Sequence, residues 1–256
     1  GINHQAWLLE ITDGGKDLYP EIKRRGAKMN REARKKGAEK HTDMIRFEMM
    51  RHFGHYITES SEHSAEYMPY WIKSQFPGLI EEFNIPLDEY PRRCVRQIER
   101  WKTQSKELVG NSKLTHKRTH EYGSYIMEAM ETDVPFRIGG NVLNNGLITN
   151  LPNNAIVEVA CLVDKNGVQG TYVGDLPEQL AALNRTNLNV HLTSLQAALN
   201  HDRDSVYHAA YLDPHTSAEL PLDTIRKMCD ELIKAHEMEG YFKKGKNFSV
   251  PKMWGI

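Results

Sequence analysis

Ile156-Val-Glu-Val-Ala-Cys-Leu-Val163, followed by Asp164-Lys-Asn-Gly167 and then Val168-Gln-Gly-Thr-Tyr-Val173, decides the fold class. The first run is rich in β-branched side chains and too short for a typical helix, so it reads as a strand. The Asn-Gly step supplies the positive backbone angles of a tight turn, and the second run can return beside the first. On both sides of this hairpin the periodicity is helical. After Pro177 the stripes Leu180 and Leu183, then Leu192, Leu195 and Leu199, then Leu222, Ile225, Cys229, Leu232 and Ile233 predict helices to about His236. Upstream, a helix is expected from about Ser112 to Met130, stopped by Pro135 and Gly139-Gly140. Two more are expected between Pro20 and Phe53, closed by Gly54. The opening Gln5-Ala-Trp-Leu-Leu-Glu-Ile-Thr12 suits a short buried strand ended by the turn signal Asp13-Gly14-Gly15. The sum is a mixed α and β fold, with one domain over 1–256 as the simplest organisation.

Composition narrows the function classes. Apolar residues make up 39% and charged residues 26% of 256 positions, which is ordinary for a globular protein. The formal net charge of −1 gives no overall attraction to nucleic acid or to an acidic membrane surface. The longest apolar stretch, Ala155 to Val163, is far below the roughly 20 residues a membrane span requires. Cys94, Cys161 and Cys229 are odd in number and widely spaced, which argues against a disulfide framework and for a reducing, cytoplasmic setting. From Lys23 to Lys40 nine Lys or Arg face two Glu, but no aromatic platform is interleaved, so a solvated helix or a subunit contact is the expectation.

Three groups of residues carry possible chemistry. His4, following Gly1-Ile-Asn3 and preceding a strand, places an imidazole and an amide at a sheet edge, where a metal-ligand role competes with that of an ordinary satisfied histidine. Between Thr58 and Tyr70 aliphatic residues are scarce. Glu59, Glu62, His63, Glu66 and Tyr67 there combine carboxylates, an imidazole and a phenol, the makings of acid–base or metal chemistry in a loop, against the alternative of a solvated helix face. Asn141, Asn144, Asn145 and Asn150 concentrate amides that suit sugar hydroxyls and equally suit turns. His116 and His120 share a helical spacing, but the cationic Lys117-Arg118 between them opposes a divalent ion. No two glycines are separated by a single residue, so the chain holds no GxGxxG turn and no dinucleotide fold of its own.

Gly1-Ile-Asn-His-Gln-Ala-Trp7 resembles the metal-histidine motif of glycoside hydrolase family four. Further similarity covers nearly the whole chain: Arg46-Phe-Glu-Met-Met-Arg-His-Phe-Gly54, Thr58-Glu-Ser-Ser-Glu-His63 with Ala65-Glu-Tyr67, Asn144-Asn-Gly146 with Asn150-Leu-Pro152, Val157-Glu-Val159, Gly174-Asp-Leu-Pro177 with Gln179-Leu-Ala-Ala-Leu-Asn184, and Tyr207-His-Ala-Ala-Tyr-Leu-Asp-Pro214. The Ser-Ser-Glu-His string resembles the α-galactosidases of the family, with its α-glucosidases and α-galacturonidases close by.

The resemblance implies a two-part enzyme shaped like lactate and malate dehydrogenases. Residues 1–256 would be the carboxy-terminal catalytic and substrate-binding domain, inactive without an amino-terminal NAD-binding Rossmann domain absent from this chain. The cofactors implied are NAD and Mn2+, the substrate an α-galactoside, the partners that amino-terminal half and further copies in a homo-oligomer. His4 would ligate the metal. Asn3, Asn144, Asn145 and Glu66 would meet substrate, and Tyr67, Glu62 and His63 would be catalytic, with Tyr67 or Glu62 as the base. The paired-carboxylate route of ordinary glycosidases does not apply to NAD-dependent ones. The implied chemistry is oxidation at sugar C3, loss of the C2 proton, elimination of the glycosidic oxygen, addition of water and return of the hydride, with no net use of NAD. A dehydrogenase sharing the fold and a non-catalytic fragment are the competing readings.

Overall fold

The computed structural model describes residues 1–111 and 117–240. The chain opens with β1 (Trp7–Leu8) and the hairpin β2 (Thr12–Asp13) and β3 (Lys16–Asp17), which turns on Gly14 and Gly15 at φ of 54° and 81°. Those positive angles are why the turn needs glycine. The strand expected over Gln5–Thr12 is thus reduced to two residues, because only Trp7 and Leu8 find a partner strand, and the Tyr19 hydroxyl donates to the Leu8 carbonyl beyond it.

Helices α1 (Tyr19–Ala33) and α2 (Met44–Phe53) follow, the first with proline in its first turn. Gly54, at φ 88°, ends α2 and donates its N–H to the Met50 carbonyl at 3.0 Å. The helices approach closely at Gly26, where a Cβ would stand 3.0 Å from Met50 Cε and 3.1 Å from the Phe47 ring. Their polar seam is Glu48, a buried carboxylate that accepts from Arg51 Nε at 2.8 Å and from Asn30 Nδ2 at 3.3 Å. The basic run is exposed in the single chain, with Arg24 and Arg25 paired to Glu21 and Lys35 to Glu32.

Next come β4 (Tyr56–Ile57), α3 (Ser61–Glu66) and α4 (Gly78–Glu82). The long α5 (Glu89–Gly110) is followed by α6 (Tyr122–Thr132), β5 (Phe136–Leu143), β6 (Ile156–Asp164) and β7 (Gly167–Gly170). The last part is helical: α7 (Glu178–Asn200), α8 (Arg203–Leu212), α9 (Pro214–Glu219) and α10 (Leu222–Met238). The hairpin of β6 and β7 is antiparallel with Val163 opposite Val168, and β5 lies on the other side of β6. Along β6 burial alternates, with Val157, Val159, Cys161 and Val163 inside and Ile156 and Leu162 exposed. One face of the strand is buried and the other is not, which a mostly apolar run does not reveal.

The fold is therefore mixed α and β. Where the sequence suggests one domain, the chain divides into two compact units: one of Gly1–Asn84, Gly140–Val159 and the described residues from Tyr172 onward, the other of Ile85–Gly139 and Ala160–Thr171. The first holds the largest fully buried side chains, among them Ile2, Met44, Ile45, Met49, Ile57, Met68, Ile148, Leu180, Leu188 and Ile225. In the second, α5 buries none of its residues, and Tyr125 stacks on Phe136 with ring centroids 5.0 Å apart. No helix among the described residues is long and apolar enough to cross a membrane. The early part of the helix expected from Ser112, together with His116 and the basic tail after Gly240, lies outside the described residues.

Candidate functional site

The site is built on a reversal at the start of the chain. Ile2 and Gln5 bond to each other in both directions, Gln5 N–H to Ile2 carbonyl at 2.9 Å and Ile2 N–H to Gln5 carbonyl at 3.3 Å, and Asn3 and His4 form the bend between them. His4 sits at φ 62°, a left-handed conformation that a non-glycine residue adopts only where its surroundings hold it. Gly1 has no room for a side chain, since a Cβ would lie 2.6 Å from Ala6 Cα. Its carbonyl accepts the Glu158 N–H at 2.8 Å, which brings β6 alongside the bend.

Pairing of β1 with β4 then delivers the second group. Trp7 is registered with Ile57, and the Thr58 N–H donates to the Ala6 carbonyl at 2.9 Å, so residues 58–67 leave β4 beside His4. The expected loop contains a short helix, α3. Ser60 caps it, its hydroxyl accepting the His63 N–H at 3.2 Å, and the Ser61 hydroxyl accepts the Ile45 N–H of α2 at 3.3 Å. One helical turn then carries His63, Glu66 and Tyr67 toward His4. The His63 ring lies 4.3 Å from that of His4, centroid to centroid, and the Tyr67 ring 5.8 Å away. His63 Nδ1 and Glu66 Oε2 pair at 3.1 Å, and His4 Nε2 stands 3.9 Å from Glu59 Oε2.

Electrostatics follow from this crowding. Burial first, then the negative charges of Glu66 and Glu59, push the Tyr67 phenol above its ordinary range. Burial, helped by Glu59, raises the Glu158 carboxyl, against which His4 works in the opposite direction. The Tyr67 phenol and the Glu158 carboxyl thus hold their protons more tightly than in water. His4 Nδ1 is buried without a hydrogen-bond partner. A neutral imidazole with an uncommitted ring nitrogen has the chemistry of a single ligand to a divalent cation. Among the described residues no three His, Cys, Asp or Glu are grouped so as to hold a metal ion, so His4 fits as one donor of a set.

Some expected residues are committed to other partners. Asn144 is fully buried, its amide donating to the carbonyls of Ile148, Leu151 and Pro152 at 2.9, 3.0 and 3.0 Å while its oxygen accepts the Ile148 N–H at 2.7 Å. Its amide is engaged with the loop between β5 and β6. Asn150 is similarly engaged with the main chain of Leu176. Asn145 is an exposed turn residue at φ 40°. Asn3 is exposed at the bend, beside His4 in sequence. Glu62 is half-buried on α3, and the ring and ion-pair contacts of His4 are made by His63, Tyr67 and Glu59 instead.

Other participants lie outside that expectation. Glu59 belongs to the acidic cluster but has no role of its own in the family resemblance, and Glu158 reads in sequence only as the charge that interrupts an apolar strand. Gln5, Asn184 and Asn187 form a buried amide network behind the bend. The one signal for the two asparagines is their polarity on the apolar stripe of Leu180, Leu183 and Leu188.

Comparison with known proteins identifies relatives of the chain. The model described as "Family 4 glycosyl hydrolase C-terminal domain" matches residues 1–216. An alpha-galactosidase of Bacillus subtilis (strain 168) is 58% identical over 236 residues, 92% of this chain and 53% of the relative. One from Rhizobium meliloti (strain 1021) is 30% identical over 251 residues, covering 92% of this chain and 48% of the relative. The chain therefore spans about half the length of the curated relatives it matches. The fold is similar to that of a 6-phospho-alpha-glucosidase from gut microorganisms, solved in complex with NAD and Mn2+, at a TM-score of 0.68 and 20% identity over 98% of this chain and 56% of that one.

Proposed function

Because the chain belongs to the family 4 glycosyl hydrolases, of which it carries the C-terminal domain, we propose that it is the substrate-side portion of an α-galactosidase that works with NAD and Mn2+. The observation that carries this reading is His4: an imidazole with an uncommitted buried nitrogen on a strained bend, faced by His63, Tyr67 and Glu59. The 58% identity to the Bacillus enzyme supports the α-galactoside as substrate. The NAD and Mn2+ in the related glucosidase structure support the cofactors. When bound, they supply hydride removal at sugar C3 and polarisation of the resulting carbonyl, which makes the C2 proton acidic.

The residues of this chain divide the remaining work. His4 is the metal ligand, and Asn3, exposed on the same bend, is placed to meet a sugar hydroxyl. Tyr67 is the residue that moves the C2 proton, in preference to Glu62, because its ring lies beside that of His4. Its phenol is held protonated by burial and two carboxylates, and positive charge brought to His4 acts on it in the opposite sense. The His63–Glu66 pair fixes the imidazole that packs, tilted, against His4. Glu66 and Asn145, both exposed, are the further substrate contacts in this reading.

The remaining metal ligand and the NAD site would come from the amino-terminal half of the same enzyme, and the isolated domain would be inactive. Homo-oligomer assembly is carried over from the family resemblance. The odd number and wide spacing of Cys94, Cys161 and Cys229 support a reducing cytoplasm. The test is hydrolysis of an α-galactoside by the full-length enzyme in deuterated water. Deuterium at C2 of the released galactose, without NADH accumulation, is the expected result, and unlabelled galactose would overturn the mechanism.

A further inference from the structure

Two amides on one face of α7 tie the His4 bend to the end of α3, although 179 residues separate Gln5 from Asn184. Asn184 Nδ2 donates to the Gln5 carbonyl at 2.8 Å and to Gln5 Oε1 at 3.1 Å. Asn187, one turn on, donates from Nδ2 to the same Gln5 Oε1 at 3.2 Å and to the Tyr67 carbonyl at 3.3 Å. Trp7 Nε1 completes the set by donating to Asn184 Oδ1 at 3.2 Å. Gln5, Asn184 and Asn187 are all buried.

The location of these bonds matters more than their number. The Gln5 carbonyl that takes the Asn184 amide also closes the bend by accepting the Ile2 N–H. That bend holds His4 in its left-handed conformation, a costly state that persists only when the surroundings over-determine it. Asparagine is a mediocre helix former, and a buried amide left unpaired is destabilising. Leucine or alanine at both positions would serve packing alone equally well.

We propose that Asn184 and Asn187 are positioning residues, which use the rigid α7 as a common frame to fix the His4 imidazole and the Tyr67 phenol relative to one another. Neither touches substrate. Asn184 acts through the Gln5 main chain on His4, and Asn187 acts on Tyr67 at the point where α3 ends. The functional consequence rests on the reading of His4 and Tyr67 given above, whereas the physical tether stands on the hydrogen bonds themselves.

The test uses full-length enzyme with Asn184→Asp and Asn187→Asp, isosteric changes that replace the donating NH2 by an acceptor. Trp7→Phe deletes the bond to Asn184 Oδ1 together with part of a buried ring, and leaves the amide bonds to Gln5 and Tyr67 in place. Ile225→Val, in the separate cluster of Tyr207 and Cys229, is the control for general loss of stability. Three quantities are read: Mn2+ affinity without substrate, kcat against KM, and amide hydrogen exchange over residues 1–8 and 58–70. Each Asn variant is expected to weaken Mn2+ binding and lower kcat by about tenfold, the scale for residues that orient a metal ligand, with KM little changed. Exchange should quicken in both segments and stay unchanged in α8 and α10, with Trp7→Phe shifting all three readouts less in the same sense. Ile225→Val should lower the melting temperature and leave Mn2+ affinity alone.

Unchanged exchange in the Asn variants would overturn the tether. Faster exchange with wild-type Mn2+ affinity and kcat, or an equal loss of affinity in Ile225→Val, would overturn its positioning role. Wild-type enzyme that binds Mn2+ but releases no galactose would sink the proposed reaction, and the affinity and exchange readouts would still decide the tether.

Discussion

The unit that carries His4 and the unit that carries α5 use side chains in opposite ways. In the first, apolar groups such as Ile2, Met44, Ile57, Leu180 and Ile225 are sealed from water, and the polar groups among them, Gln5, Asn184 and Asn187, hydrogen-bond to one another. In the second, a 22-residue helix leaves Ile98 62% and Trp101 58% exposed and buries nothing. Both regions have apolar residues at helical spacing. An apolar stripe thus states a capacity for burial, and a partner surface decides whether the capacity is used. Where it is used, the interior can also hold a bend that water would otherwise relax.

This contrast can be broken by experiment. The largest effect is expected from His4→Ala in the full-length enzyme: loss of Mn2+ affinity and hydrolysis by at least about 100-fold, since altering merely outer-shell partners costs 10–100-fold. Melting temperature should change little, because His4 sits at an accessible bend. Retained Mn2+-dependent turnover would remove the site from this unit altogether.

The next effect compares the two units directly. Ile225→Ala, at a fully buried position, should cost about 2–5 kcal/mol in denaturant unfolding, the range for large-to-small core changes. Ile98→Ser on α5 should stay within about 0.5 kcal/mol, as at surface sites away from special features. A large cost at Ile98 would show that the α5 face is covered in the whole protein.

A smaller, pH-dependent effect sharpens the picture of the site-bearing unit. Burial pushes the Tyr56 hydroxyl of β4 up to about 12 from an ordinary 10.0. A folded-state pKa raised above the unfolded one gives stability that is complete below about pH 10 and is lost as pH rises toward about 12. Tyr56→Phe should flatten that alkaline limb of the denaturation midpoint. The smallest effect lies at the acid end, where Ser74, through its hydroxyl and its N–H, and then Lys73 hold the half-buried Glu219 carboxyl down at about 2. Its contribution is present above the usual carboxylate range and disappears as pH falls through that value, so Glu219→Gln should reduce the acid sensitivity slightly.

Local signals suffice where backbone geometry or short-range periodicity sets the outcome. Gly14-Gly15 makes the early turn, Gly54 ends α2, and Lys165-Asn166, followed by Gly167 at positive φ, turns β6 into β7. The cluster of Glu59, His63, Glu66 and Tyr67 is also visible as a stretch poor in aliphatic residues, and the structure brings it to His4. Its helix is not visible, because six residues with Ser60 as cap are too few for a periodic pattern. The long α5 carries Cys94, Ile98 and Trp101 at helical spacing, but its charged residues outnumber its apolar ones and dilute that stripe. Asn144 stays undecided at the level of sequence, because an amide in a turn looks the same whether its bonds go to the loop or to a ligand.

The amino-acid sequence by itself determined the elements and the types of chemistry available: where glycine permits a turn, which faces are apolar, and that an imidazole, a phenol and several carboxylates occur in two short segments. Tertiary structure alone decided which of those groups meet. Secondary structure is set by bonds spanning a few residues, whereas the partner of a side-chain amide or a ring nitrogen is chosen by chain segments far apart in sequence. Gln5 finds Asn184, Asn144 turns inward and His4 faces His63 for that reason.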